Sequence, residues 1–156
     1  MGIAMFYHLT HSTAEDTLRM LLGRAMGMGW RVMVRGTDPA ALAHLDVALW
    51  QDPDDSFLPH GLEGGPHDAE QPVLIGRGAI ANAAAGLFLI DSAGVTVAEA
   101  QALERVWLLF DAANPDTLAA ARGQWKTLID AGVHAQYWSE ESGRWEKKSE
   151  KNAPGQ

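Results

Sequence analysis

The last helical segment of this 156-residue chain carries side chains that could bind an anion. Arg122, Trp125 and Lys126 are spaced i, i+3 and i+4, so they share one face of a helix. The two cations repel each other, and a bound anion would relieve that repulsion. Trp125 adds an apolar wall, and Arg122 can grip a carboxylate through two hydrogen bonds. The pattern suits a peptide with acidic residues and a terminal carboxylate. Equally, Trp125 could belong to the buried stripe with two flanking cations, and the spacing favours neither interpretation.

A second candidate surface combines large apolar side chains with an acidic loop that contains two prolines. The apolar residues are Trp50, Phe57, Leu58 and Pro59. The same loop holds Asp52, Asp54 and Asp55. Apolar side chains in such a setting either fold back onto the core or are offered to a partner.

A glycine-rich segment follows one predicted strand and raises the question of nucleotide binding. Gly76 and Gly78 fit the pattern G-x-G-x-x-A of dinucleotide-binding loops. Only residues 82–85 then remain before Gly86 and the next strand, too few for the crossover helix of a true fingerprint. A Gly/Ala-rich connection is therefore the favoured interpretation. A small nucleotide-binding or hydrolytic α/β enzyme that uses this loop stays as the alternative.

The histidines and one serine are candidate metal ligands or catalytic groups. His8 and His11 lie three residues apart at the end of a predicted strand, where their side chains diverge, so structural roles are favoured over a zinc site. His60 and His67 lie in the acidic loop. Ser56 beside Asp55 and His60 lacks the glycine-flanked turn that exposes a nucleophile. We therefore expect no catalytic residues, no metal and no cofactor.

Composition and charge narrow the possible partners. The net charge is −8, and residues 36–104 hold one basic residue against eleven acidic ones. Direct binding to a duplex backbone needs clustered Lys and Arg, so contact with DNA is expected to be indirect. The chain has no Cys, which excludes disulfides and fits a reducing cytoplasm. No apolar run approaches the roughly 18 to 20 residues of a membrane span, and the N-terminus lacks the features of a signal peptide.

Strand and helix patterns alternate along the chain. Apolar runs predict strands near residues 5–9, 31–34, 72–75, 87–90, 105–110 and 135–139. Helices are predicted from a Ser12 capping box, from Asp38-Pro39, within 92–104 and from Asn114-Pro115. The alternation predicts one open, mostly parallel sheet with helices on both faces, in a single α/β domain over residues 1–145. Residues 146–156 are charged and rich in small side chains, which predicts a disordered tail.

Several of these segments together resemble the chi subunit of the bacterial DNA polymerase III clamp-loader complex. The most specific match is Asp-x-x-Leu-Trp at residues 46–50 joined to Ser-Phe-Leu-Pro-His at residues 56–60. Supporting matches lie at residues 6–7, 29–34, 72–73, 121–122 and 125–126. The resemblance implies a non-catalytic α/β subunit that acts in DNA replication, located in the cytoplasm and associated with the nucleoid through the replisome.

The resemblance also implies two partners. One is the psi subunit, which the family contacts through positions that correspond to Trp50 and Phe57, with Leu58 and Pro59 as neighbours. The other is the acidic C-terminal tail of single-stranded DNA-binding protein, for which Arg122, Trp125 and Lys126 match the binding helix. Between these side chains the helix carries Gly123 and Gln124, so its positive charge is lower than the family pattern implies.

Overall fold

Eight strands form one sheet in the computed structural model, which describes residues 2–51 and 59–154. They are β1 (Ile3–Leu9), β2 (Val32–Arg35), β3 (Gly61–Leu62), β4 (Val73–Gly76), β5 (Gly86–Leu89), β6 (Arg105–Asp111), β7 (His134–Ser139) and β8 (Glu146–Lys151). Their order across the sheet is β3-β4-β2-β5-β6-β1-β7-β8. All neighbours are parallel except β8, which runs antiparallel to β7. The predicted open, mostly parallel α/β sheet is confirmed.

Four helices cover the two faces of this sheet. They are α1 (Ala14–Gly27), α2 (Pro39–Trp50), α3 (Val97–Ala102) and α4 (Pro115–Asp130). The buried residues of α1 and α2 belong to one core cluster, and those of α3 and α4 belong to a second cluster. The sheet therefore separates two cores, which is the three-layer arrangement predicted from the alternating pattern.

The helix starts follow the predicted caps with one shift. The Asp38 and Asn114 side chains accept hydrogen bonds from Ala40 and Asp116 N–H at 3.0 Å, each followed by proline at the first position. In α1 the cap is Thr13, and the Ser12 hydroxyl instead donates to the buried carboxylate of Glu140 at 2.8 Å. The predicted Ser12 capping box is therefore wrong by one residue, because a tertiary partner competes for that hydroxyl.

Strand β1 lies near the centre of the sheet and contributes to both cores. It pairs with β6 and β7 along nearly its whole length. Because successive side chains point to opposite faces, Phe6 packs under α4 while Tyr7 and Leu9 pack under α1. The aromatic residues of this one strand therefore anchor both layers of helices.

The expectation of a disordered tail is wrong for residues 146–151, which form β8. The Glu150 carboxylate accepts hydrogen bonds from Gln136 and Lys147 at 2.8 and 2.9 Å and lies 2.6 Å from His134 Nε2. These contacts, led by Lys147, hold the pKa of Glu150 down at about 2. Trp145 packs edge-on against Tyr7, with ring centroids 5.1 Å apart. Composition indicated disorder because it cannot show that Glu150 binds Gln136 and His134 of the neighbouring strand as well as Lys147 of its own.

An ion pair ties the carboxyl end of β2 to α3. Arg35, which is buried, binds Glu99 with two parallel hydrogen bonds of 3.1 and 2.8 Å. The same guanidinium donates to the carbonyls of Gly78 and Gly94 at 3.1 and 3.0 Å. Glu99 also completes a capping box with Thr96. The hydrogen bond from Arg35 is the main reason that the pKa of Glu99 falls to about 2.

We predict that Glu99→Gln lowers the free energy of unfolding at pH 7 by about 2 to 3 kcal/mol, because Arg35 stays buried without its anion. The folded-state pKa lies below the ordinary value of 4.5. The stabilisation is therefore present above that value and is lost as the pH falls toward 2. Urea denaturation between pH 7 and pH 2.5 measures this difference. The exposed Glu104→Gln is the matched control; an equal loss in both variants would contradict the prediction.

Candidate functional site

Arg122, Trp125 and Lys126 lie on α4 at the edge of the second core. The Trp125 indole is half-buried and stands edge-on to Phe6 and to Tyr137, with ring centroids 5.1 and 5.9 Å apart. It therefore packs on the core as the structural interpretation expects. It also lines a groove, as a binding interpretation requires, so the two roles coexist in one side chain.

The groove has a volume of about 190 Å³ and lies between α4 and the last two strands. Its lining residues are Phe110, Leu118, Ala121, Arg122, Trp125, Tyr137 and Ser149. Most of them are apolar or aromatic, and one cation stands at the rim. Such a lining with few polar groups is typical of a site that takes a small apolar group beside a charged one.

The two cations of α4 differ in their surroundings. The exposed Arg122 side chain makes no hydrogen bond or ion pair with any residue in the described ranges 2–51 and 59–154. Lys126 is exposed too, and its ammonium group lies 3.9 Å from the Asp130 carboxylate. Arg122 is therefore the cation better placed to receive a ligand carboxylate.

Tyr137 closes the floor of the groove as a neutral phenol. Burial raises its pKa, Arg122 lowers it and Glu141 raises it. The hydroxyl is hydrogen-bonded to Nδ1 of His8, whose ring also packs against Phe110 at 5.1 Å. Sequence reasoning missed Tyr137: it predicted a strand over 135–139, but the pairing of that strand with β1 is visible only in the structure.

The end of α2 is held by a buried histidine. His60 is 5% exposed, and its Nε2 lies 2.8 Å from the Asp46 carbonyl and 3.3 Å from the Asp46 carboxylate. Two acceptors around one nitrogen require that Nε2 carries the proton. The Trp50 ring stacks on the imidazole at 4.1 Å. Asp46, Trp50 and His60 are thus in contact with one another, and the histidine fastens the segment just before β3 to α2.

The outer side of α2 presents an apolar surface. Trp50 is 50% exposed and Val47, one turn earlier, is 53% exposed. Val47 was missed in the sequence analysis, although its i, i+3 spacing to Trp50 was visible. Of the other residues proposed for this surface, Pro59 is half-buried, while Phe57 and Leu58 lie outside the described residues.

The glycine-rich loop already holds an anion of its own. The Glu63 carboxylate accepts hydrogen bonds from the N–H groups of Arg77 and Gly78 at 2.8 and 3.2 Å. A side-chain carbon at Gly76 would lie 2.2 Å from that carboxylate, so a larger residue there would have to displace the Glu63 side chain. Glu63 therefore occupies backbone N–H groups of this loop, and the crossover helix of a dinucleotide site does not follow the glycines.

A crevice of about 610 Å³ opens beside this loop, at the carboxyl ends of β2, β4 and β5. Open α/β sheets commonly bind ligands at such edges. Its lining includes Arg35, Arg77 and Glu99. Because Arg35 is bound to Glu99 and to two carbonyls, the buried cation of the crevice is engaged in holding the fold together.

The remaining histidines stand apart from one another. His8 contacts Tyr137, His11 lies 3.4 Å from the Glu141 carbonyl, and His67 lies 3.2 Å from Glu70. Ser56 and Asp55 of the weighed triad lie outside the described residues. Within residues 2–51 and 59–154, no group of three or more His, Asp or Glu side chains is arranged to hold a metal ion. The helices in those same ranges include none that is long and apolar enough to cross a bilayer.

The α/β fold presents an aromatic groove beneath a cation, and it exposes apolar side chains at the end of α2. These features are typical of modules that bind other proteins. Residues 1–136 match the family model described as DNA polymerase III chi subunit, HolC, so the chain belongs to that family. It is therefore a non-catalytic accessory subunit of the polymerase that acts in DNA replication. No curated protein sequence matches the chain.

We predict that His60→Ala lowers the free energy of unfolding by about 1 to 3 kcal/mol, because it removes a buried hydrogen bond and the ring beneath Trp50. Urea denaturation followed by tryptophan fluorescence measures the loss. His44→Ala is the control, since that side chain is 80% exposed. Equal midpoints for the two variants would show that the contacts of His60 with α2 do not stabilise the fold.

Proposed function

We propose that this subunit is an adaptor with two protein-binding surfaces. The α4 groove takes the acidic C-terminal tail of single-stranded DNA-binding protein. The outer side of α2 takes a psi-like subunit, which connects the chain to the clamp loader. The observation that best supports binding of the acidic tail is that the exposed Arg122 lies above the aromatic floor of the groove.

The chemistry of the groove supports an acidic peptide end as its ligand. A terminal carboxylate can accept two parallel hydrogen bonds from Arg122, whose guanidinium is not engaged by any residue that the structure describes. A terminal apolar side chain can pack between Trp125 and Tyr137. Lys126 adds positive charge for acidic residues further up the peptide.

The distribution of charge supports indirect contact with DNA. Residues 36–104 contain eleven acidic residues and one basic residue. This excess of negative charge repels a phosphate backbone. The protein would reach the template through single-stranded DNA-binding protein. We place it in the cytoplasm, with the replisome.

Exposed apolar residues support the second surface. Val47 and Trp50 lie one turn apart on α2 and are both about half exposed. The stack of Trp50 on His60 fixes its orientation before a partner arrives. A pre-oriented aromatic anchor costs little entropy on binding, which is why such residues dominate interfaces. We propose that Phe57 and Leu58 also contact the psi-like subunit.

We predict that Arg122→Ala weakens binding of the tail peptide at least about fivefold, because a charge-assisted hydrogen bond is lost. The peptide copies the C-terminal tail of single-stranded DNA-binding protein from the organism that encodes this chain. Calorimetric titration at low and moderate salt measures the affinity. Wild-type binding should weaken with salt, since screening shortens the reach of exposed charges to about 8 Å at physiological ionic strength.

The control for this experiment is Arg24→Ala. Arg24 is an exposed cation on α1, across the sheet from the groove, and its loss changes the net charge equally. An amidated peptide tests the carboxylate directly and should bind wild-type protein as weakly as the acid peptide binds Arg122→Ala. An unchanged affinity in Arg122→Ala would overturn the assignment of this residue.

We predict that Trp50→Ala weakens binding to the psi subunit of the same organism by about 30-fold, the loss typical of an aromatic anchor. The tail peptide should bind this variant as it binds wild-type protein, because the two surfaces lie on opposite faces of the sheet. Met28→Ala, at the end of α1, is the control for removal of an exposed apolar side chain. Equal affinity of Trp50→Ala and wild type would exclude this surface as the psi site.

A further inference from the structure

The far wall of the α4 groove comes from β8, beyond the residues that match the family model. That match ends at residue 136, whereas Tyr137 and Ser149 both line the groove. In the register of β7 and β8, Tyr137 lies opposite Ser149 and Ala135 lies opposite Lys151. Opposed residues of antiparallel strands share a face, so Ser149 and Lys151 lie on the α4 side of the sheet.

The side chain of Lys151 is exposed and available for a ligand. Its ammonium group makes no hydrogen bond or ion pair with any residue that the structure describes. Lys147 of the same strand lies opposite Trp138, whose ring packs in the α1 core, so it belongs to the other face. Lys147 is also paired with Glu150 at 2.9 Å.

Lys151 and Lys126 lie at about the same height along the groove. Helix α4 runs antiparallel to β7, as a crossover helix must, and β8 also runs antiparallel to β7, so α4 and β8 advance in the same direction. From Arg122 to Lys126 the helix rises about 6 Å, and from Ser149 to Lys151 the strand rises about 7 Å. Asn152 aligns the two ends, because its side chain donates to the Ile129 carbonyl at 3.0 Å.

The opposite end of the groove is acidic. Glu141 follows the carboxyl end of β7, and Asp116 stands in the first turn of α4. If the terminal carboxylate of an acidic peptide binds Arg122, the preceding acidic residues are therefore repelled by Glu141 and Asp116. They are attracted toward Lys126 and Lys151. These charges favour one direction for a bound acidic peptide.

We propose that β8 completes the peptide site, with Lys151 and Lys126 holding an acidic side chain two or three residues before the terminal carboxylate at Arg122. An extended peptide rises about 3.3 Å per residue, so this spacing matches the separation of the cations along the groove. The inference rests on the proposed function of the α4 groove. It adds a specificity for acidic residues at defined positions, supplied by a strand outside the family match.

The test is a double-mutant cycle measured by calorimetry at low salt. The proteins are wild type, Lys151→Ala and Lys147→Ala, and circular dichroism checks that each is folded. The probes are the tail peptide described above and a copy whose acidic residues two and three positions before the terminus are changed to the amides. We expect Lys151→Ala to weaken the acidic peptide about two- to fivefold and to leave the amide peptide unchanged. Lys147→Ala should leave both unchanged.

Each outcome separates this inference from the proposed function. Binding by wild type, with equal effects of Lys151→Ala and Lys147→Ala, would overturn the role of β8 and leave the Arg122 site standing. Equal loss for the acidic and amide peptides in Lys151→Ala would also overturn it, since the lysine would then act on general charge. Absence of wild-type binding would overturn the proposed function and this inference together.

Discussion

The alternation of Phe6, Tyr7 and His8 along β1 is the constraint on which both the core and the groove depend. Because β1 pairs on both edges, its side chains can point only up or down from the sheet. Phe6 supports Trp125 from below, and His8 fixes the hydroxyl of Tyr137. Tyr7 points the other way and supports Trp138 and Trp145. Three consecutive residues thus position the floor of the groove and also the hairpin that walls it. A one-residue slip of β1 would exchange these roles and remove both supports.

The sequence was sufficient for the parts of the fold that depend on local patterns. All six strands with continuous apolar or β-favouring runs were predicted, as were the caps at Asp38 and Asn114. The two remaining strands were missed for different reasons. β3 has only two residues, Gly61–Leu62, which is too short to show any period. β8 looks solvated because the pattern of charges does not reveal their partners: Glu150 is bound both by Gln136 of β7 and by Lys147 of β8 itself.

The candidate site could be predicted only in part, and for a similar reason. The spacing of Arg122, Trp125 and Lys126 placed them on one helix face, but it could not show how deeply Trp125 packs. That depth is set by Phe6 and Tyr137, which are distant in sequence. At the other surface, the motif that joins Asp46 to His60 is visible in the sequence as a pattern, but its physical basis is not. The structure shows that basis as a hydrogen bond under a stacked ring.

The position of β8 at the margin of the sheet has a consequence for how copies of the protein meet. An edge strand leaves backbone donors and acceptors unpaired, and these can recruit a strand from another molecule. Along β8 the exposed side chains of Lys147, Lys148 and Lys151 would have to give up their water before such a strand could dock. This row of charge therefore discourages the sheets of two copies from joining edge to edge.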